Sequence, residues 1–392
     1  MRALFIALLA LASATPAAAQ DGRAAVERYG CASCHVVPGV RVSRRQSCVG
    51  CHERVVGAQR SGLGRAPRVE HYLHVPDLRH VTRRLREDYL VSYLQNPHDV
   101  RPRMEETMPR LPVTEADARL IVGFLRERAG EVEVPRSPAP SRSNVAAGRA
   151  SFERAGCMTC HELGNLDFGV HLPPVALRRI GDAAFEAPNL RFVRDRMTPD
   201  VALAWIRDPR RLDPNTEMPH PQLSDEESLL IRDFLFLVEP GRPVSAPRTV
   251  NASALEPLGR PVRYAEVRRL FDRSCIHCHA HTDGQANATF GFAPSSLDLS
   301  SPDGVRAGVT LPDGTHRSVI TPDDSGLPPL VWRLMRRHEE AARDVNGVLA
   351  DPLAPAMAPP SDAPPGMPLG LPPLASEEIR LLYAWALQGA PD

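Results

Sequence analysis

The chain has 392 residues and a formal net charge of zero, so it is long enough for two or three domains. The balanced charge, with no basic block that recurs among aromatic residues, argues against a nucleic-acid-binding protein. Its 40 prolines and 26 glycines favour loops over long regular elements. Aromatic residues make up only 5% of the chain, which is poor for large cores built from side chains alone.

The N-terminus has the pattern of a Sec-type signal peptide. Arg2 supplies the positive charge, residues 3–14 form the apolar stretch, and residues 17–19 offer an A-x-A cleavage site. We therefore predict a signal peptide over residues 1–19, cut after Ala19. No later stretch is long and apolar enough to span a bilayer, so we expect no transmembrane segment in the mature chain.

A five-residue motif, C-x-x-C-H, occurs four times and contains all eight cysteines of the chain. This is the attachment signature of c-type haem: two thiols on adjacent turns reach the two vinyl groups as thioethers, and the histidine then lies under the iron. We predict four covalently bound haem c groups. The predicted attachment residues are Cys31, Cys34, Cys48, Cys51, Cys157, Cys160, Cys275 and Cys278. The predicted proximal iron ligands are His35, His52, His161 and His279.

A C-x-x-C pair has three other interpretations. A zinc site would use the cysteines in two sets of four, and it would not need a histidine at the same offset every time. A thioredoxin-like redox pair or a disulfide framework has no such need either. Four copies with no cysteine left over favour haem attachment.

Three of the four motifs open similar repeats. A short helix is predicted before Cys31, Cys157 and Cys275, and each repeat later has a Met-Pro pair followed by an apolar-periodic helix. Ser224 with Glu227 fits a capping box at the start of one such helix. The predicted terminal helices cover residues 114–125, 224–237 and 376–387. The order is therefore helix, C-x-x-C-H, variable loops, Met-Pro and a final helix.

This order resembles class I cytochrome c domains. The third repeat, through the stretches that begin at Val319, Gly366 and Trp385, resembles the planctomycete-type cytochrome c domain. The resemblance implies a mainly α fold of three tandem small cytochrome c domains with extensive loops and four covalent haems. It also implies that the methionine of each Met-Pro pair crosses to the far face of the haem and binds iron. Those methionines are Met108, Met218 and Met367.

The chemistry of methionine suits that role. A thioether is a soft, neutral ligand that favours Fe(II) and raises the reduction potential, and the proline after it restricts the loop. Most methionines beside a helix simply fill core space. The recurrence of the pair in all three repeats favours the ligand role. Met104 is a rival to Met108 in the first repeat, but no proline follows it.

The motif at Cys48 lies in an apparent insertion over residues 41–78, and no Met-Pro pair remains for it. We expect a second histidine as its distal ligand and favour His71 or His74 over His80. The alternative for each is a surface histidine or one that binds a haem propionate. The sequence leaves open which of the two haems Met108 binds. The helix predicted before Cys31 favours the first haem, whereas the shorter sequence distance from Met108 favours the inserted haem.

These patterns divide the chain into six parts. They are a signal peptide (1–19), a dihaem domain (20–130), a linker (131–143), a monohaem domain (144–239), a second linker (240–261) and a monohaem domain with an insertion (262–392). The linkers are rich in proline, serine and arginine and lack periodicity. In the middle domain, residues 188–190 resemble the loop that packs near the haem. Trp205 is expected to pack against the core or the haem.

The resemblance implies a periplasmic tetrahaem cytochrome c that passes single electrons between redox protein partners in a respiratory chain, and that could dock on a membrane complex. The alternative is a haem enzyme, such as a peroxidase or a small-molecule oxidoreductase, with the inserted haem at Cys48–His52 as an open catalytic site. The ligand inventory favours the electron carrier.

Overall fold

A computed structural model describes residues 17–43, 47–61, 70–98, 100–104, 107–170, 172–240, 255–280, 296–311, 314–343 and 365–392. Within these ranges helices dominate, which confirms the predicted mainly α fold. Most of the predicted signal peptide (1–16) and of the second linker (241–254) lies outside the described residues. No helix in the described ranges is long and apolar enough to cross a membrane.

The first repeat is built from five helices among its described residues. They are α1 (Ala17–Arg28), α2 (Cys48–Arg60), α3 (Val81–Arg84), α4 (Glu87–Gln95) and α5 (Glu115–Ala129), with 3₁₀ turns at Cys31–Ser33 and Glu70–Leu73. Helix α1 begins at Ala17, within the predicted cleavage site and earlier than expected. Helix α5 begins where predicted, because the Thr114 side chain accepts a hydrogen bond from the Asp117 amide.

The second repeat contains the next seven helices. They are α6 (Val145–Arg154), α7 (Pro174–Ile180), α8 (Asp182–Phe185), α9 (Val193–Arg196), α10 (Pro199–Arg207), α11 (Pro209–Leu212) and α12 (Asp225–Leu237), with 3₁₀ turns at Arg142–Asn144, Cys157–Thr159 and Leu190–Phe192. The predicted capping box is confirmed: Ser224 accepts from the Glu227 amide, and the Glu227 carboxylate accepts from the Ser224 amide.

The third repeat has four described helices and a small hairpin. They are α13 (Tyr264–Ser274), α14 (Pro302–Ala307), α15 (Pro329–Arg343) and α16 (Ser376–Leu387), with strands β1 (Val309–Thr310) and β2 (His316–Arg317). The strands pair antiparallel, with Val309 opposite Arg317. Helix α16 has the predicted bounds and ends before Gly389, which adopts a positive φ.

The first and last helices of each repeat pack against one another. A Cβ atom on Gly22 of α1 would lie 2.7 Å from the Cβ of Phe124, and one on Gly148 of α6 would lie 2.7 Å from the Cβ of Phe234. Glycine therefore allows the two backbones to approach closely in both repeats. The third repeat instead packs Phe271 of α13 edge-to-face on Trp385 of α16, with ring centroids 5.6 Å apart.

Three hydrophobic clusters lie along the chain, and each draws its buried members from one repeat. They run from Ala25 to Leu125, from Phe152 to Leu235 and from Val262 to Ala390. Leu85 of the first repeat also packs against the middle cluster. The exact domain boundaries stay a prediction.

The first linker is more closely held than its composition suggested. The buried Arg232 of α12 pairs with Asp233 at 2.6 Å and also donates to the hydroxyl of Ser137 and the carbonyl of Pro138. Asp200 at the start of α10 accepts from the amide of Ser137 at 2.8 Å. These contacts hold the irregular segment before residue 142 against the second repeat.

Candidate functional site

Three of the C-x-x-C-H motifs form a single tight turn. The backbone amide of the histidine donates to the carbonyl of the first cysteine at 2.9 Å for His35, 2.9 Å for His161 and 3.0 Å for His279. The inserted motif instead opens helix α2 at Cys48. Gly30 and Gly156, with φ of 63° and 71°, precede two of the turns, where a residue with a Cβ would be strained.

In the second repeat, the motif and the Met-Pro pair line one cavity although they are far apart in sequence. Cys157, Cys160 and His161 lie on its wall together with Met218 and Pro219. The ring atom Nδ1 of His161 lies 2.9 Å from the carbonyl oxygen of Pro188. A carbonyl can only accept, so Nδ1 carries the proton and Nε2 keeps a lone pair for a metal.

Met218 has a partner that the sequence analysis did not identify. The indole Nε1 of Trp205 donates to the Met218 sulfur at 2.9 Å. Trp205 lines the same cavity and was expected only to pack against the core or haem. A thioether sulfur has two lone pairs, so one can accept this hydrogen bond while the other binds iron. Spacing alone gives no signal for this contact, because Trp205 lies in helix α10 and Met218 lies in the loop between α11 and α12.

The first repeat has the same arrangement. Cys31, Cys34 and His35 line a second cavity together with Met108 and Pro109, whereas the rival Met104 is buried and is not on its wall. Nδ1 of His35 lies 2.8 Å from the carbonyl oxygen of Pro76, which matches the contact of His161 in the second repeat.

The inserted motif opens onto the cavity of the first repeat. Cys48 and His52 line that cavity, and a hydrogen bond between the thiols of Cys34 and Cys48 raises the pKa of Cys34 and lowers that of Cys48. The ring of His52 contacts the ring of Tyr72, with centroids 4.6 Å apart.

The three histidines considered as its distal ligand have different surroundings. The ring of His71 lies 4.5 Å from that of Tyr72, so it is close to His52. Nδ1 of His74 lies 3.0 Å from Glu186 of the second repeat, and this hydrogen bond raises the pKa of His74. His80 precedes α3 and makes no side-chain capping hydrogen bond to it. The structure thus brings His71 near His52 and joins His74 to another repeat.

In the third repeat, Arg333 of α15 connects the motif with the Met-Pro loop. The Met367 amide donates to the carbonyl of Arg333 at 2.9 Å, and the Arg333 guanidinium donates to the carbonyl of Pro365. Burial, with a further contribution from Arg333, lowers the pKa of His279 to about 4. The motif and the loop that carries Met367 therefore both lie beside Arg333.

The protonation states suit haem attachment and ligation. Burial lowers the pKa of His35 and His161; burial and the nearby imidazoles of His71 and His277 lower that of His52 to about 4. These rings are therefore neutral at pH 7, the form that binds metals. Burial raises the pKa of the Cys31 and Cys157 thiols to about 11, unlike the lowered values of reactive redox cysteines.

Two arginines lie in the wall between the two cavities. Arg84 and Arg196 line both of them, and the Nε atoms of both are buried with no hydrogen-bond partner in the described part of the chain. The nearest carboxylate of Arg84 is that of Asp213, at 3.7 Å. Burial, with a contribution from Arg196, lowers the pKa of Arg84 to about 10. Nothing in the sequence distinguishes these two arginines from the many others.

These features fit haem c. Two thiols, a neutral imidazole with a directed lone pair and a thioether share one cavity in two repeats, and buried guanidinium groups could pair with propionates. No group of three or more His, Cys, Asp or Glu side chains in the described ranges could hold a metal ion by itself. A haem iron needs only two ligands from the chain. Comparison with family models, curated proteins and solved structures found no match to this chain.

Proposed function

We propose that this protein is a periplasmic tetrahaem c-type cytochrome that transfers single electrons between redox proteins in a respiratory chain. The observation that carries the proposal is the cavity of the second repeat, where Cys157, Cys160 and His161 share a wall with Met218. A bound haem supplies reversible one-electron chemistry at its iron. The chain supplies two ligands, low polarity and a fixed orientation.

The contacts support a ligand pair for each of the four sites. His35 with Met108 and His161 with Met218 follow from the two cavities, and the Pro76 and Pro188 carbonyls orient the two imidazoles in the same way. This similarity favours Met108 as a ligand of the first haem rather than of the inserted haem. For the third repeat we assign His279 with Met367, and for the inserted motif His52 with His71.

The assigned ligand pairs support electron transfer over catalysis. A neutral sulfur ligand would favour Fe(II) and raise the potential at three sites, whereas a bis-histidine site would have a lower potential. With two firm ligands from the chain, a bound haem would offer no position for a substrate. Trp205 makes the methionine ligand of the second repeat firmer, because its hydrogen bond holds the Met218 sulfur in place.

The test is carbon monoxide binding to the fully reduced protein, produced in a host that attaches c-type haem. Its mass must first show four haems, and a protein without covalent haem would overturn the proposal. We then expect the optical spectrum to stay unchanged under carbon monoxide, because each iron keeps two firm ligands. A response from one haem in four would favour the haem enzyme instead, with the inserted site as its centre. Met218→Ala provides the positive control for one open iron.

A further inference from the structure

The inserted segment, residues 47–61 and 70–74, contacts two different repeats. On one side, Cys48 and His52 line the cavity that also contains Cys31, Cys34 and His35. All five are predicted attachment or ligand residues, so the groups held at these two motifs must lie side by side.

On its other side, the inserted segment contacts the third repeat. Tyr72, whose ring lies against His52, donates its hydroxyl to the carbonyl of Leu369, just after Met367. This chain of contacts joins the inserted motif to the Met-Pro loop of the third repeat.

The second repeat joins the first at the opposite end. Arg103 donates to the carbonyl of Thr159, which lies inside the third motif, at 3.1 Å. The amide of Asn189 donates to the carbonyl of Val100 at 2.8 Å. The two cavities also share Arg84 and Arg196 in their walls.

From these contacts we infer that the inserted segment is the junction of a linear array in which the motifs follow the spatial order Cys157, Cys31, Cys48 and Cys275. This order differs from the order along the chain. The inference rests on the proposed function, because it concerns where the chain holds its four haems. It adds that the second and third repeats are the two ends of the array.

The order matters because electron tunnelling weakens steeply with distance. Haem held at these motifs would supply one-electron chemistry, and the chain's residues would set the distance between neighbouring groups. The inserted segment would then be required for communication between the ends. Residues at its two contacts, Cys48 and Tyr72, are positioning residues of that path.

Two-haem variants test the order through the Soret circular dichroism of the oxidised protein, where neighbouring haems produce a coupled, two-signed band. The variant that retains only the haems at Cys48 and Cys275 carries Cys31→Ala, Cys34→Ala, Cys157→Ala and Cys160→Ala. We expect it to show the coupled band. The matched variant that retains only those at Cys157 and Cys275, the two ends of the array, should lose it.

A coupled band in the second variant, or its absence in the first with both haems confirmed by mass, would overturn the order. Four haems in the unaltered protein would still support the proposed function, so the two failures are distinguishable.

A point variant avoids the risk that haem deletion disturbs folding. Tyr72→Phe removes only the hydroxyl that donates to Leu369, and it should weaken the coupled band of the four-haem protein. Tyr264→Phe is the matched control, since its hydroxyl also donates to a carbonyl, that of Ser300, but inside the third repeat. An unchanged band in Tyr72→Phe, or an equal loss in both variants, would overturn the junction.

Discussion

The second repeat and the inserted segment contain the same five-residue motif in very different surroundings. In the second repeat, His161 is oriented by the Pro188 carbonyl and shares a cavity with Met218, and most of the wall comes from that repeat. In the inserted segment, Nδ1 of His52 is buried without a hydrogen-bond partner in the described part of the chain. The segment contacts the first repeat through their shared cavity and the third repeat through the bond from Tyr72 to Leu369.

This difference shows that one attachment signature does not specify one type of site. The second repeat folds around its own hydrophobic cluster, so its ligands are brought together by local signals such as the capped helix α12. The described residues of the inserted segment form one helix and a 3₁₀ turn. Its surroundings depend on how the other repeats pack around it.

The largest expected effect is the loss of an iron ligand. Met218→Ala should open one coordination position, so one haem in four should bind carbon monoxide and its potential should fall. His71→Ala should also open one coordination position, at the inserted haem, so that this haem binds carbon monoxide. The measurements are carbon monoxide difference spectra and redox titration of both variants.

Met104→Ala is the control for this pair, since it removes a buried methionine that is not on the cavity wall. Carbon monoxide binding by this variant would contradict the assignment of Met108. A His71→Ala protein that stays closed would show that another residue ligates the inserted haem.

A matched pair of glycine substitutions should separate the packing of the two regions. Gly148→Ala would place a Cβ 2.1 Å from the Leu230 carbonyl oxygen, so we expect it to lower the free energy of unfolding by about 1–3 kcal/mol. Gly57→Ala in α2 meets no atom within 4 Å and should raise it by up to about 1 kcal/mol. Denaturant unfolding measures both, and similar effects would contradict the close helix crossing.

Arg84 should influence two haems at once. Its guanidinium lies in the wall of both cavities, so Arg84→Gln should stabilise the ferric form of both haems, lowering both potentials by on the order of 1 kcal/mol per electron. Arg86→Gln is the control, because Arg86 is exposed and pairs with Asp88. A shift confined to one haem in the redox titration would contradict the shared wall.

Trp205→Phe should have a smaller effect on the second repeat alone. Removing the indole donor strengthens electron donation by the Met218 sulfur, so the potential should fall by about 1 kcal/mol per electron or less. Trp332→Phe in the third repeat should leave this potential unchanged. An unchanged potential in Trp205→Phe would mean that the hydrogen bond does not act on the ligand.

The smallest effect concerns the first linker, which is held against the second repeat. Hydrogen bonds from Ser137 lower the pKa of Asp200, so its contribution to stability is present above the unfolded pKa of about 3.9 and is lost as the pH falls through the folded pKa. Asp200→Asn should destabilise the protein by about 1 kcal/mol at pH 7. The difference should vanish at an acid pH below the lowered pKa of Asp200. Glu239→Gln, an exposed residue, is the control for urea unfolding at both pH values. A difference that persists in acid would contradict this origin.

Local signals allowed much of the fold to be predicted. The mainly α architecture, the capped helix after Ser224 and the bounds of α16 could all be anticipated from periodicity and capping residues. These features depend on residues a few positions apart, so the chain itself contains the required information. The early start of α1 was not predicted, because its first residues were assigned to the signal peptide. The contact of Arg232 with the first linker was not predicted, because it joins residues far apart in sequence.

The sequence by itself determined which residues could hold haem, because the spacing of two thiols and an imidazole is a local property of one turn. It also placed a Met-Pro pair after each of three motifs. Only the tertiary structure decided that Trp205 donates to Met218, that Arg84 and Arg196 serve two cavities, and that the inserted motif lies between the first and third repeats. Those relations depend on how separate helices and loops pack, and no short-range pattern in a sequence records that packing.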